Sequence, residues 1–344
     1  MTKYINIKNI IITAVFLRLL MAIFLFDTNS ENYWEYGETA KNIIGGRGYS
    51  LFYIAENDLQ HKYDPNTSAN PSAYMPPLYT FRLIPFMLIN NIELRNILLL
   101  ISNLILSAAV ILMLYKLIRY YFSETAALAG SAIYAVLPEF IYAALGFSPV
   151  LEFHFLILYL IYCLNVKSKF QNLHIFISIF LLTAMRSESL AFAFIIIVIL
   201  LKLKDYRKAG IVFFAAMMFV IPWSLRNYYV FEEFIPTSTN SGINLYRGHN
   251  SIGPGYWGDG QAREKIKLLP NEPKFELKMD SIYRQSAFEY IKNEPEQTII
   301  NSFKKVFHLW LYYPLDKRSV HPLYLLPWLL LLSFSIYGII KLMI

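Results

Sequence analysis

Glu31-Asn32-Tyr33-Trp34-Glu35-Tyr36-Gly37-Glu38 stands directly behind the first apolar run of the chain, residues 9–26. Carboxylates at a bilayer surface are costly unless they face water or a substrate. Tyr33, Tyr36, Gly37, Ala40 and Ile44 follow helical spacing, while Glu31, Glu35 and Glu38 repeat on another face. The pattern predicts a surface helix that rests its aromatic side on lipid and turns its acids toward a cavity. Gly45-Gly46-Arg47-Gly48 ends it, because glycine frees the backbone to turn. Such a layout fits a catalytic entrance better than a plain connector.

Composition agrees that a bilayer surrounds this segment. The 344 residues are 56% hydrophobic and only 16% charged, with a mean hydropathy of +0.40. Soluble domains carry about a quarter charged residues, so the chain belongs in a membrane. The net charge of +7 does not imply nucleic acid, because most basic residues sit in short loops between apolar runs. Cys163 is the single cysteine, which excludes an intrachain disulfide, and no Cys/His metal spacing occurs. A carboxylate-bound Mg²⁺ or Mn²⁺ stays open. Lys3 and Lys8 give residues 9–26 the flank of a signal peptide, but Arg18 interrupts the run and no cleavage pattern follows. A retained span is expected. Asn66-Thr67-Ser68 matches a glycosylation triplet that chance produces often.

Apolar runs fall at about 9–26, 97–117, 125–145, 149–166, 172–184, 187–203, 209–229 and 321–342. Basic loops fall at Lys116/Arg119, Lys167/Lys169 and Lys202/Lys204/Arg207/Lys208. Placing all three in the cytoplasm puts 27–96 and 230–320 outside and both termini inside. The expected fold is an all-α polytopic protein of the plasma (inner) membrane, a bundle of about eight spans with juxtamembrane helices in two outer loops. Residues 1–229 form a catalytic transmembrane module that includes loop 27–96, residues 230–320 an extracytoplasmic region, and 321–344 the last span. Pro77–Asn90, with Arg82 and Pro85, reads as re-entrant or juxtamembrane, since a crossing there would turn the basic loops outward. Residues 282–313 read as helical with a break near Pro295, and Phe303–Tyr313 as interfacial. No internal repeat is visible.

Glu152, after Ser148-Pro149 at the start of a span, is the clearest intramembrane carboxylate. An ionised group there costs roughly 2.5–3.5 kcal/mol unless paired or hydrated. The rival reading is a helix-end acid favoured by the dipole. Arg186 sits at the tip of the 172–203 hairpin and Arg226 at the end of the seventh run. Both suit bidentate grip of a phosphate, or snorkelling to headgroups. Arg18 lies deeper, either paired with an acid or satisfied by packing. Glu31 and Glu35 are the candidate bases for an acceptor hydroxyl, and Glu38 reads as a solvated face. His61, His154, His174, His249, His308 and His321 show no ligand spacing.

Several stretches together resemble the GT-C superfamily of polyprenyl-phosphate-sugar glycosyltransferases, in particular family-39-like enzymes related to aminoarabinose and protein mannosyl transferases. Glu35-Tyr36-Gly37-Glu38-Thr39-Ala40-Lys41-Asn42-Ile43, followed by Gly46-Arg47-Gly48-Tyr49-Ser50, is similar to the family's acidic loop after span one. Ala73-Tyr74-Met75-Pro76-Pro77-Leu78-Tyr79 is similar to its Pro-Pro-Leu-Tyr element, and Arg186-Ser187-Glu188 to its Arg-Pro-Glu tip. Pro222-Trp223-Ser224-Leu225-Arg226-Asn227 and Asn240–Asn250 resemble its Pro-Trp-x-x-Arg-Asn and Gly-x-Asn-Leu-Tyr-x-Gly-Asn segments. Glu152 falls where many members place an acid. Many members have aspartate in the first outer loop, so Glu31 and Glu35 both remain candidates. Tyr74-Met75 replaces an acidic-basic pair, and the chain stops after one further span where members usually continue.

The resemblance implies a GT-C-like bundle and an inverting transfer of a sugar from a polyprenyl-phosphate donor to an acceptor hydroxyl. The membrane lipid-linked donor is then the partner inside the bilayer, and a lipid, glycan or protein is the acceptor. Arg186 and Arg226 would neutralise the departing phosphate, Glu31 or Glu35 would deprotonate the acceptor, and Glu152 would position a substrate or hold an arginine. Tyr36, Tyr74, Asn227, Asn244 and Tyr246 lie in the matching motifs and join the candidate substrate-binding set. Tyr246, Tyr256 and Trp257 are candidates to stack on a sugar face. The rivals are a lipid-linked sugar transporter or flippase, a polysaccharide polymerase or ligase, and a noncatalytic scaffold.

Overall fold

A computed structural model describes residues 6–52, 69–251, 260–311, 313 and 317–343. His61, the Asn66 triplet and the pair Tyr256 and Trp257 lie outside the described residues. Among the described residues the fold is all-α apart from one two-residue strand pair. Its elements run α1 (Ile7–Leu25), α2 (Trp34–Ile44), β1 (Ser50–Leu51), β2 (Asn70–Pro71), α3 (Pro77–Met87), α4 (Ile92–Tyr121), α5 (Glu124–Val136) and α6 (Pro138–Leu145). They continue with α7 (Val150–Asn165), α8 (Gln171–Met185), α9 (Ser189–Lys202), α10 (Tyr206–Phe231), α11 (Ser241–Gly248), α12 (Gly260–Lys267), α13 (Phe275–Asn293), α14 (Pro295–Trp310), α15 (Lys317–Val320) and α16 (Pro322–Met343).

Local chemistry sets the helix starts. Asn6, Asn91, Ser123 and Asp205 cap α1, α4, α5 and α10, each side chain accepting a backbone N–H three residues on, at 2.8–3.2 Å. Pro77, Pro138 and Pro295 open α3, α6 and α14, where a missing N–H costs nothing. The expected break near Pro295 is therefore the junction of α13 and α14. Pro138 has a second effect: the run 125–145, expected as one span, is broken into α5 and α6, bent by 58°.

That break explains Arg18. Its guanidinium is fully buried and donates to Ala14 O at 3.1 Å, Ala135 O at 2.9 Å and Phe140 O at 3.4 Å. Carbonyls freed where a helix stops inside an apolar layer need donors, and the C-terminal end of a helix attracts a cation. Packing and backbone satisfaction, not a carboxylate partner, account for this residue.

Four described helices, α1, α4, α10 and α16, are long and apolar enough to cross a membrane, or five crossings if α5 and α6 count as one. The helices α7, α8 and α9 have 16, 15 and 14 residues. At about 1.5 Å per residue they rise roughly 21–24 Å, short of the roughly 30 Å hydrocarbon layer. α3, with 11 residues, is shorter still and packs on α2, α4 and α8.

The main core lies among α2, α3, α4 and α7 to α10, around Tyr79, Leu83, Leu160, Ile179, Leu182 and Val212. A second core lies in the segment after α10, where Ile243, Tyr246, Ile266, Phe275, Met279 and Tyr283 close α11, α12 and α13 together. Leu51 and Tyr74 from the first loop segment enter this second core. The two segments that flank the bundle in sequence are thus one packed unit at one end of it. The hairpin Lys116/Arg119, the turn Lys167/Lys169 and the turn Lys202–Lys208 lie at the other end, where Arg119 meets Glu124 at 3.9 Å and Tyr120 Oη donates to Asn165 O at 3.2 Å.

Candidate active-site cavity between the two loop segments

Four polar residues tie the loop segments to the bundle and to each other. Arg226 on α10 donates to Ser72 O at 2.6 Å, Tyr49 O at 2.9 Å and Asn227 Oδ1 at 3.0 Å. Its guanidinium lies over the rings of Tyr49, Trp223 and Phe231 at 5.2–5.8 Å. Asn227 is fully buried and donates to Ile235 O at 2.8 Å. Glu276 on α13, also fully buried, accepts from Ser72 Oγ at 2.7 Å, from the Ala73 N–H at 2.8 Å and from Thr239 Oγ1. Ser187, in the turn between α8 and α9, shares a 2.7 Å hydrogen bond with Ser238.

Between the clamped segments lies a cavity of about 890 Å³, within the range of roughly 300–1,000 Å³ usual for small-molecule sites. Glu35, Tyr36, Tyr74, Arg186 and Asn244 all line it, as do Trp34, Glu188 and Arg247. Five sequence candidates therefore meet in one place, from α2, the β2–α3 connection, the α8–α9 turn and α11. Trp34, Glu188 and Arg247 were missed. Their only sequence signal was adjacency to residues already singled out.

The cavity holds charges of both signs. Burial pushes the Glu35 carboxyl above its ordinary value, and the charge of Arg247 pulls it partly back. A carboxyl so placed is a stronger base than an exposed one. Burial pushes the Tyr36 phenol up to about 12, against the opposing pull of Arg186, so it stays a neutral donor. Tyr36 is fixed by an edge-on contact with Tyr79 at 5.0 Å. Arg186 pairs with Glu188 at 2.9 Å and lies 5.2 Å over the Phe153 ring, with its side chain 38% exposed.

The other candidates sit elsewhere. Glu31 precedes α2, is 69% exposed and pairs with Lys41 at 3.0 Å, so it does not line the cavity. Glu152 is buried outside the cavity lining, 2.5 Å from Arg82, although neither carboxylate oxygen receives an aligned hydrogen bond from any described residue. Arg82 also donates to Asn103 Oδ1 at 2.9 Å and Ser102 Oγ at 3.1 Å. Of the roles expected for Glu152, holding an arginine is the one its position satisfies. Arg226 and Asn227 donate to backbone carbonyls and to each other and do not line this cavity. Tyr246 is buried against Tyr283 at 5.5 Å in the second core and is not among the residues lining the cavity.

Two features of α2 also differ from expectation. Its aromatic side does not rest on lipid: Tyr33, Tyr36, Gly37 and Ala40 are buried in the protein core. Glu38 is not a solvated face. Its Oε1 accepts the Phe52 N–H at 3.1 Å, and burial pushes its carboxyl up to about 7. The isolated helix cannot reveal this, because α3 and β1 supply the covering surface. Among the described residues no three His, Cys, Asp or Glu side chains converge as a metal-binding group. Comparison with family models, with curated proteins and with solved structures returns no match to this chain.

Proposed function

We propose that this chain is a membrane glycosyltransferase that moves a sugar from a polyprenyl-phosphate donor to an acceptor hydroxyl within the cavity between its two loop segments. The observation that carries the reading is the convergence of Glu35 with Arg186 and Arg247, from distant parts of the sequence, in one cavity of about 890 Å³. A base and cations in one cavity are what the transfer needs. The acceptor hydroxyl gives its proton to the Glu35 carboxylate as its oxygen attacks the anomeric carbon. The bond from that carbon to the phosphate oxygen breaks, and its electron pair leaves with the polyprenyl monophosphate. Arg186 and Arg247 offset the growing phosphate charge. Attack from the face opposite the phosphate inverts the anomeric centre.

The membrane setting supports the same reading. The three basic loops sit on turns away from the cavity-lining segments, and reading them as cytoplasmic by the charge rule puts the cavity on the extracytoplasmic side in this proposal. No nucleotide sugar is expected there, and a lipid-tethered donor reaches the cavity by diffusing in the bilayer. In this reading α7, α8 and α9 are short crossings, which brings the total to about eight.

The test is glycolipid profiling of a deletion strain carrying wild-type, Glu35→Gln or Arg186→Ala protein. Loss of one glycosylated product, with accumulation of a lipid-phosphate sugar, is expected in both variants at unchanged protein level. A wild-type profile in both variants would refute the assignment. Transport of a lipid-linked sugar across liposomes without a covalent product would instead identify a flippase.

A further inference from the structure

Trp34 combines three properties that packing does not explain. Its φ is +54°, a region that bulky side chains rarely enter and that costs on the order of 1–3 kcal/mol. The residue is 56% exposed, so little buried contact offsets that cost. And it lines the same cavity as Glu35, its neighbour in the chain, and Arg186.

The neighbours show how the conformation is enforced. Tyr33 is buried, with its ring 5.1 Å from Phe147 and its hydroxyl donating to Asn96 Oδ1. Tyr36 is held against Tyr79. A Cβ at position 37 would lie 2.2 Å from the Tyr33 Cβ, so Gly37 lets the first turn of α2 close directly over Tyr33. With both tyrosines pinned inward, Trp34 and Glu35 are driven to the cavity wall as a pair, and the backbone at Trp34 absorbs the distortion.

We propose that the acceptor is a saccharide and that Trp34 is the platform on which its pyranose ring stacks. This rests on the transferase reading above. A pyranose carries an apolar C–H face and a rim of hydroxyls. An exposed indole next to the base binds the first and leaves one hydroxyl within reach of Glu35. A peptide or lipid hydroxyl has no such flat apolar face to fill the position.

The strain makes the test clean, because glycine accepts a positive φ. Trp34→Gly removes the ring and relieves the backbone, so its thermal midpoint is expected at or above that of wild type. Saturation-transfer NMR on the full chain in sugar-free lipid nanodiscs, with methyl pyranosides of gluco, galacto and manno configuration and a serine peptide as control, reads ring contact directly. Saturation of the ring C–H protons of at least one pyranoside is expected in wild type and in Trp34→Phe. In Trp34→Gly binding weakens about tenfold, as loss of a stacked ring implies. Unchanged saturation in Trp34→Gly, or saturation of the peptide alone, overturns the proposal. So does a Trp34→Gly midpoint several degrees below wild type, which makes the ring a packing element. Polyprenyl monophosphate in the same nanodiscs separates the two claims: Trp34→Gly retains its binding and Arg186→Ala loses it. Failure of wild type to bind that lipid sinks the transferase reading, while the pyranoside result still decides whether Trp34 receives a sugar.

Discussion

Glu152→Gln distinguishes a carboxylate that acts on substrate from one that holds the bundle together. The wild-type carboxylate lies 2.5 Å from the Arg82 guanidinium, and the two side chains are 10% and 18% exposed. Glutamine keeps the volume and removes the charge, so the effect is electrostatic. Breaking a buried pair from one side costs about 3–5 kcal/mol, because the remaining charge stays buried. Arg82 keeps hydrogen bonds to Ser102 and Asn103, which places the loss near the lower end, about 3 kcal/mol. At roughly 2 °C per kcal/mol for a chain of this size, the midpoint falls by about 6 °C. Thermal unfolding in detergent, followed by tryptophan fluorescence, measures it. Replacing both partners, Arg82→Met with Glu152→Leu, recovers most of the loss, since apolar pairs often match buried ion pairs. A Glu152→Gln midpoint within about 1 °C of wild type, with product formation abolished, would refute this reasoning and make Glu152 a substrate contact.

Glu38 predicts a pH effect of definite sign. Its folded carboxyl is raised from 4.5 to about 7, so the folded state holds the proton more tightly than the unfolded chain, and stability falls as pH rises between those values. Glu38→Gln is therefore expected to unfold at a higher temperature than wild type at pH 8, the gap closing as pH approaches 4.5; a constant gap would contradict it. Gly242→Ala places a Cβ 2.1 Å from Asp280 O. The displacement of α11 from α13 costs about 1–3 kcal/mol, seen as a lower midpoint and faster proteolysis after residue 240. Arg226→Lys cannot reproduce the two-pronged donation to Ser72 O and Tyr49 O. Losing one such bond costs roughly 1.5–3 kcal/mol, seen as a lower thermal midpoint; under the proposed transferase function, product formation falls with it because the cavity wall loosens.

Much of the helical layout is legible along the chain. Cap residues, prolines and apolar runs mark α1, α4, α8, α9, α10, α14 and α16 to within a few residues, because caps and periodicity act over three or four positions. The break at Pro138 escaped, since one proline in an apolar run can kink a helix or begin another. Side-chain assignments fared unevenly for a similar reason. Glu35, Tyr36, Tyr74, Arg186 and Asn244 share one cavity, whereas Glu31, Glu152, Arg226, Asn227 and Tyr246 do not line it. Residue type could not separate the two groups: Arg186 and Arg226 are both arginines at helix ends, and only what surrounds them differs.

By itself the sequence determined that this is an all-α protein with membrane-crossing helices, where most helices start, and which polar residues had to be explained. The tertiary structure alone decided how each was satisfied. Arg18 takes a carbonyl 117 residues away, and Arg226 takes carbonyls 154 and 177 residues away. A charge inside an apolar layer must find a partner in space, and no local pattern names a partner that distant. Which side chains line the cavity, Trp34, Glu35, Arg186 and Arg247 among them, is known only once the chain has closed around it.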